Sequence, residues 1–314
     1  MSGDRGPGAG PYSDPTSGSY AGPAADLLAA RFEEHRSQLR AVGYRMLGSL
    51  SEAEDAVQEA WLRLNRTGSG RIDNLGGWLT TVTARVCLDM LRSRTLRREE
   101  PLETHMPDPV VSEADAPDPE QEALLADSVG LALLVVLDTL EPAERLAFVL
   151  HDMFAVPYDD IAPVVGRSPA AARQLASRAR RRVRGADPDP DPDLGRQRAV
   201  VDAFLAASRG GDFDALVAVL DPDVVLRADV GAGMRGISGV LRGAENVARQ
   251  ALLFSEGAAY ARPVLVNGVA GTLTAPGGTP MSVMAFTVRR DRITQIHILA
   301  DPTRLASLNV PSAD

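Results

Sequence analysis

Apolar residues recur at steps of three and four along the first third of the chain, which is the period of an amphipathic helix. The pattern predicts three helices, over residues 26–47, 52–66 and 74–98. Ser51 is expected to cap the second helix, because Glu54 follows at the spacing of a capping box. The predicted buried stripes are Leu28, Phe32, His35, Leu39, Val42 and Met46, then Ala56, Val57, Ala60 and Leu64, then Leu79, Val82, Val86 and Met90.

A second helical module is predicted from residue 127. An apolar helix over 129–140 and a helix over 143–152 precede a short helix, YDDIAPVV, and a turn at Gly166-Arg167. Ser168 is a good N-cap and Pro169 suits the first helical position, so another helix is expected to begin there. A helix, a glycine-containing turn and a basic second helix are the parts of a DNA-reading helix-turn-helix.

The helix predicted from Pro169 has two unlike faces. One face is apolar and suits packing. The other face carries no carboxylate and includes Arg173, Gln174, Ser177, Arg178 and Arg181. Arginine pairs bidentately with guanine and glutamine with adenine, so this face suits a DNA major groove. A solvated, arginine-rich surface helix is the alternative interpretation of the same pattern.

The last third of the chain has a different pattern. Helices come first, and four alternating, strand-like runs follow at its end, with Asn267-Gly268 and Arg290-Asp291 as hairpin turns. This order predicts an α+β domain with a curved antiparallel sheet. Helices are expected over 198–207, 213–220 and 243–254, and strands over 224–228, 260–266, 269–273, 281–289 and 292–299.

Segments of biased composition separate these units. Residues 1–24 are rich in Gly, Pro, Ser and Ala, residues 99–126 are acidic, and residues 186–195 contain an alternating Asp-Pro run. Such segments bury too little apolar surface to offset chain entropy. We therefore expect a disordered tail, a largely unstructured linker and an extended spacer. The predicted domains are 25–98, 127–185 and 196–314.

Composition narrows the class of protein. The net charge is −9, although the basic residues cluster locally, and a local basic patch matters more for docking than the total. A single cysteine, Cys87, excludes an internal disulfide framework and suits the cytoplasm. No apolar run is long enough for a membrane span, and no secretory signal pattern is present. We predict no metal site and no cofactor.

The two helical modules resemble bacterial sigma factors of the extracytoplasmic-function group. SEAEDAVQEAWLRL resembles the part of region two that grips core RNA polymerase, and NLGGWLTTVTARVCLDMLRSR resembles the part that melts promoter DNA at the minus-ten element. Residues 137–183 resemble region four, which reads the minus-thirty-five element. The resemblance implies polymerase contacts by Asp55, Gln58, Glu59 and Leu62, and promoter contacts by Trp78, Arg85, Asp89, Arg92, Arg94, Arg167, Ser168, Arg173, Gln174, Ser177, Arg178 and Arg181.

The third unit resembles a SnoaL-like domain of the nuclear-transport-factor-two fold. A subgroup of these sigma factors carries this extension as a regulator built into the chain. The positions of three of its motifs correspond here to residues 105–109, 229–234 and 301–305, although their sequences differ. The resemblance implies a contact between the extension and the sigma modules, with regulatory roles for Asp229, Gly231, Gly233, Asp301, Pro302 and Leu305.

Two alternatives remain open from the sequence. One is a helix-turn-helix repressor fused to a domain that binds a small ligand; residues 51–64 argue against it, since a repressor does not need a polymerase-gripping segment. The other is that the third unit is an isomerase-like or cyclase-like enzyme with Asp229 or His297 as its base. No second acid or base is spaced to work with either residue, so we predict that the protein is not an enzyme.

Overall fold

A computed structural model describes residues 23–67, 72–97, 106–114, 130–186, 190–231, 239–308 and 310–311. The first module consists of α1 (Pro23–Leu47), α2 (Leu50–Thr67) and α3 (Leu75–Arg97). Its own core is formed by apolar residues from all three helices. The predicted tail falls almost wholly outside the described residues. Within the described ranges, no helix is both long and apolar enough to cross a membrane.

Helix α2 begins two residues earlier than predicted, and its cap is supplied from elsewhere in the chain. The backbone N–H of Leu50 donates to the Asp108 carboxylate at 3.3 Å, and the Asp108 N–H donates to the carbonyl of Gly48 at 2.7 Å. A capping carboxylate satisfies an N–H group that the first helical turn leaves unpaired. The predicted cap by Ser51 is therefore wrong, because a tertiary contact takes its place.

The second module contains the predicted helix-turn-helix. It comprises α4 (Leu131–Asp138), α5 (Pro142–Phe148) with a π-helical extension, α6 (Tyr158–Val165) and α7 (Pro169–Ala186). Gly166 ends α6 with a φ of +68°, a conformation that favours glycine. The Ser168 hydroxyl accepts a hydrogen bond from the Ala171 N–H at 3.3 Å, which confirms its predicted capping role at α7.

The third unit is the predicted α+β domain. Helices α8 (Leu194–Gly210), α9 (Phe213–Val219), α10 (Ala244–Leu253) and α11 (Ser255–Ala258) accompany a sheet whose last strand leads into α12 (Pro302–Ser307). Most of α8–α10 packs on one sheet face in a separate apolar core. The strands are β2 (Leu220–Asp229), β3 (Gly239–Arg242), β4 (Ala261–Val266), β5 (Val269–Thr274), β6 (Ser282–Arg289) and β7 (Arg292–Leu299).

The sheet differs from the prediction in three respects, and the first is that β3, which pairs with β2, was not predicted. Strands β2 and β7 pair in parallel, whereas the other described pairs are antiparallel. The sheet also has a further edge strand, β1 (Val111–Glu113), which comes from the linker between the helical modules and pairs antiparallel with β4. The expectation of a largely unstructured linker fails for residues 106–114, because Met106, Val110 and Val111 are buried there.

The second face of the sheet packs against the helical modules. One hydrophobic cluster contains Val42 of α1, Val111 of the linker, Leu134 of α4 and Val266 and Leu299 of the sheet. Part of the Asp-Pro spacer is also attached to the sheet, because the Asp191 N–H donates to the carbonyl of Val288 at 2.8 Å. The third unit is therefore packed on the other two rather than held only by a tether.

Candidate functional site

The outward face of α2 carries the residues predicted to hold polymerase. Asp55, Gln58 and Leu62 are exposed, because they lie opposite the side on which Ala56, Val57, Ala60 and Leu64 are buried. Glu59 is half-buried, and its carboxylate lies 2.8 Å from Arg63 Nε. All four residues lie on the solvent side of one amphipathic helix, so they are available to a partner.

A groove of about 420 Å³ separates the end of α2 from the start of α3. Trp78 and Arg85, both predicted from the sequence, line it together with Arg63, Arg66, Thr67, Thr81 and Val82. Arg63, Arg66 and Thr67 were missed because they belong to α2, whereas Trp78 belongs to α3, and sequence spacing does not reveal that the two helices adjoin. An aromatic ring among arginines suits an unstacked base and its phosphates.

The other predicted residues of α3 divide into two groups. Asp89 and Arg92 are exposed, and Arg92 Nη1 lies 4.0 Å from Asp89 Oδ1. Arg94 instead turns inward, where its Nη1 donates to the carbonyl of Leu47 at 3.2 Å and its Nη2 pairs with Glu52. Burial lowers the pKa of Arg94. In this arrangement Arg94 therefore does not share a surface with Arg85 and Arg92.

The recognition helix α7 presents the predicted polar face to solvent. Arg173, Gln174, Ser177, Arg178 and Arg181 are all exposed, and so are Arg167 and Ser168 in the preceding turn. The Arg173 guanidinium lies over the Tyr158 ring, 5.3 Å from its centroid. The opposite side of α7 is buried and consists of Ala172, Ala176 and Ala179. The helical period therefore separates an apolar side from the exposed polar side.

The two predicted DNA surfaces belong to modules that contact each other. Helix α3 packs against α5 and α6. Arg85 Nη2 donates to the carbonyl of Pro163 in α6 at 3.2 Å. Deeper in the interface, the fully buried Arg145 of α5 donates from Nε to the carbonyl of Arg45 in α1 at 3.0 Å. The helix-turn-helix therefore lies directly beside the α2–α3 groove.

The predicted regulatory residues converge on the linker. Arg304 Nη1 lies 2.6 Å from the Asp229 carboxylate, and its Nη2 reaches both Asp108 and the carbonyl of Met106 at 2.5 Å. Asp229 also accepts a hydrogen bond from the Met106 N–H at 3.2 Å. We call Met106, Asp108, Asp229 and Arg304 the linker junction. Its side chains are mostly shielded from solvent, so its charged hydrogen bonds are stronger than surface ones.

Asp301, Gly231, Pro302 and Leu305, also predicted to be regulatory, lie next to this junction in the chain or in space. Asp301 caps α12 by accepting from the N–H groups of Thr303 and Arg304, at 2.8 and 3.3 Å. Gly231 has a φ of +71°, and a Cβ there would lie 2.6 Å from the Asp301 carboxylate. Pro302 opens α12 and Leu305 is buried beneath it. Gly233 lies outside the described residues.

A second contact, missed from the sequence, joins the linker to α1 and to the β4–β5 turn. Asn267 exchanges two hydrogen bonds with Val110, at 2.8 and 3.1 Å, and its Nδ2 donates to the Tyr44 hydroxyl at 2.9 Å. Tyr44 in turn donates to the carbonyl of Asp108. Burial raises the pKa of Tyr44. Asn267-Gly268 was predicted only as a turn, because its partners lie more than 150 residues away.

The two residues considered for an enzymatic role, His297 and Asp229, are both shielded from solvent. His297 is 1% exposed, and burial, with a smaller effect of nearby Arg227, lowers its pKa to about 3. Asp229 is held by Arg304 and by the Met106 N–H. A general base must reach the substrate proton that it removes. These contacts favour structural roles for both residues.

The depressed pKa of His297 predicts a loss of stability at acidic pH. Its folded pKa is about 3 against 6.5 for the free group, so the unfolded chain binds an extra proton between these values. The stabilisation present above pH 6.5 is lost as pH falls, by about 2 kcal/mol at pH 5. Thermal denaturation between pH 5 and 8 should show that the melting temperature of His297→Asn depends less on pH than that of wild type. His35→Asn is the matched control. If the melting temperatures of His297→Asn and wild type change in parallel with pH, the acid sensitivity does not come from His297.

Comparison with known proteins gives consistent matches. The family models for Sigma-70 region 2 and Sigma-70, region 4, match residues 31–97 and 130–183. The probable ECF RNA polymerase sigma factor SigI of Mycobacterium tuberculosis is 38% identical over 287 residues, covering 90% of this chain and 96% of the relative. The ECF RNA polymerase sigma factor SigJ of the same species is 40% identical over 288 residues, covering 88% and 92%.

A solved structure agrees over nearly the whole chain. The crystal structure of the M. tuberculosis extracytoplasmic function sigma factor SigJ matches with a TM-score of 0.73 and 36% identity. The match covers 90% of this chain and all of that one. The predicted order of two helical modules followed by an α+β domain is thereby confirmed.

Proposed function

The chain belongs to the extracytoplasmic-function sigma factors of RNA polymerase, and on that premise we propose how its surfaces divide the work of promoter-specific initiation. The exposed face of α2, with Asp55, Gln58, Glu59 and Leu62, binds core polymerase. Leu62 supports this assignment, because it is a large apolar side chain that stays 42% exposed beside three polar ones. A mixed apolar and polar helix face of this kind suits a helical partner.

The α2–α3 groove binds the opened strand at the minus-ten element. Trp78 supplies a ring on which a base stacks, and Arg66 and Arg85 pair with phosphates at the groove's two ends. On α7, Arg173, Gln174, Ser177 and Arg178 enter the major groove at the minus-thirty-five element. Arg181, Arg182 and Arg184 bind phosphates, which position the helix without reading the sequence.

Trp78→Ala tests the role of the α2–α3 groove. Base stacking on an aromatic ring is worth about 1–3 kcal/mol, so open-complex formation should fall by roughly five- to 150-fold. Run-off transcription on duplex promoter, with a 2-aminopurine probe in the minus-ten element, measures the defect. A template with a preformed bubble should recover much of the lost activity, because melting is already complete. Wild-type activity of the variant on duplex DNA would refute the assignment.

The third domain regulates the sigma modules by holding them in a closed arrangement. The minus-ten and minus-thirty-five elements lie about 25 base pairs apart, which is about 85 Å of duplex. Here Arg85 of the first DNA surface donates directly to Pro163 of the helix-turn-helix. Two modules in contact cannot occupy both elements at once. The modules must separate for initiation, and this contact is the observation that carries the regulatory proposal.

The linker supplies the means of regulation. Residues 106–114 connect the two sigma modules, and they are bound along their length by the third domain, through the linker junction, Asn267 and the β1–β4 pairing. The same segment caps α2 through Asp108. A linker that is held in this way keeps the modules together. Its release allows them to spread along the promoter, which the Arg304 variant described in the Discussion tests.

A further inference from the structure

Glu144 of α5 lies beneath the recognition helix and contacts two of its arginines. One carboxylate oxygen, Oε1, lies 2.8 Å from Arg178 Nε, and the other, Oε2, lies 3.1 Å from Arg182 Nη1. The Glu144 side chain is 7% exposed, whereas both arginine side chains are more than half exposed. A single buried carboxylate therefore anchors two side chains whose guanidinium groups still reach solvent.

The atoms used by Glu144 determine which donors remain free for DNA. Arg178 is ion-paired with the carboxylate, and Nε is the Arg178 nitrogen that lies 2.8 Å from it. Arg182 is held through Nη1, which leaves Nε and Nη2. The end-on fork of two Nη groups matches the O6 and N7 acceptors of guanine. Arg178 lies on the exposed face of α7 with Gln174 and Ser177, which suits a contact with a base, whereas Arg182 lies nearer the end of the helix and suits a phosphate.

Arg180 of the same helix shows the contrasting arrangement. Its Nε lies 2.6 Å from the Asp152 carboxylate, and its Nη2 donates to the Tyr158 hydroxyl. Its side chain is 31% exposed, much less than those of Arg178 and Arg182. Asp152 and Tyr158 therefore hold Arg180 inside the module, where it fixes α7 to its neighbours. Among the described residues, Glu144 pairs with arginines of α7 that stay more than half exposed, whereas Asp152 pairs with the more buried Arg180.

We propose that Glu144 is a positioning residue for promoter discrimination. By fixing Arg178 before DNA arrives, it reduces the side-chain entropy lost on binding and presents the fork at a single base pair. By neutralising part of the charge of Arg178 and Arg182, it also limits their binding to phosphates of any sequence. This inference rests on the proposed role of α7 at the minus-thirty-five element.

The test uses holoenzyme assembled from the full chain and core RNA polymerase, with a promoter library randomised over six base pairs of the upstream element. Run-off selection gives the base preference at each position. Glu144→Gln should lower the preference for guanine at one position by about tenfold. It should also tighten binding to duplex without a promoter. The slope of the logarithm of that binding constant against the logarithm of salt concentration should become steeper by about one. A purely structural role predicts weaker binding to all DNA.

Matched variants distinguish the positioning of Arg178 by Glu144 from a general loosening of α7. Asp152→Asn removes the other carboxylate bound to α7 and should leave the base preference unchanged; an equal loss would overturn the inference. In an Arg178→Gln background, Glu144→Gln should cause no further loss of preference, and an additive loss would also overturn it. Glu144→Asp should restore part of the preference if the variant chains melt at similar temperatures.

The wild-type result separates the proposed function of α7 from the proposed role of Glu144. A wild-type holoenzyme that selects no upstream sequence from the library contradicts the proposed function of α7. A wild-type holoenzyme that selects a sequence, combined with an unchanged preference in Glu144→Gln, contradicts only the positioning role of Glu144.

Discussion

Arg304→Gln should raise transcription by the full-length protein. Arg304 carries three hydrogen bonds of the linker junction, to Asp229, Asp108 and the carbonyl of Met106. Charged hydrogen bonds that are mostly shielded from solvent contribute about 1.5–3 kcal/mol each, and removing the arginine leaves Asp108 and Asp229 without their cation. The three bonds share one guanidinium group and do not add fully, so the closed arrangement should lose about 2–4 kcal/mol, which is roughly a 30- to 1,000-fold change in the ratio of closed to open forms.

Run-off transcription at limiting sigma concentration measures this effect, and a rise of at least about tenfold is expected, since coupling of this size is typical of regulatory contacts. Small-angle scattering of the free protein should show a larger radius of gyration. Arg249→Gln is the matched control, because Arg249 forms an exposed pair with Glu245 in the same domain. Unchanged or lower transcription, with a normal melting temperature, would contradict the inhibitory role of the closed arrangement.

Arg145→Met should produce the largest loss of stability from a single side chain. Arg145 is 2% exposed, pairs with Asp138 and donates to the carbonyl of Arg45 in the first module. Breaking a buried ion pair on one side costs about 3–5 kcal/mol, because the remaining charge stays buried without a partner. At about 2–4 °C per kcal/mol for large domains, the melting temperature should fall on the order of 10 °C.

Differential scanning calorimetry tests this expectation with two companion variants. Arg249→Met removes an exposed arginine and should change stability by less than about 0.5 kcal/mol. Adding Asp138→Asn to Arg145→Met should recover part of the loss, because no unpaired carboxylate remains. A double variant as unstable as the single one would show that packing, rather than charge, is responsible.

The sequence predicted helices, strands and caps well where interactions between neighbouring residues determine them. The cap by Ser168, the end of α6 at Gly166 and the polar face of α7 follow from groups within a few residues of each other. The strands over 261–266 and 292–299 agree with the alternating pattern to within one residue. Helical and strand periods are properties of neighbouring residues, so they can be recognised before the chain folds.

The sequence could not predict the contacts that join the three units. The cap of α2 comes from Asp108, the inward turn of Arg94 depends on Glu52, and the strand at 111–113 exists only because β4 offers an unpaired edge. These contacts form between residues that are distant along the chain, and composition alone indicated an unstructured acidic linker. The sequence by itself determined a sigma factor with a third domain. Only tertiary packing determined that the linker is held and that the two helical modules contact each other, because burial and hydrogen bonding between distant segments depend on how the whole chain is arranged.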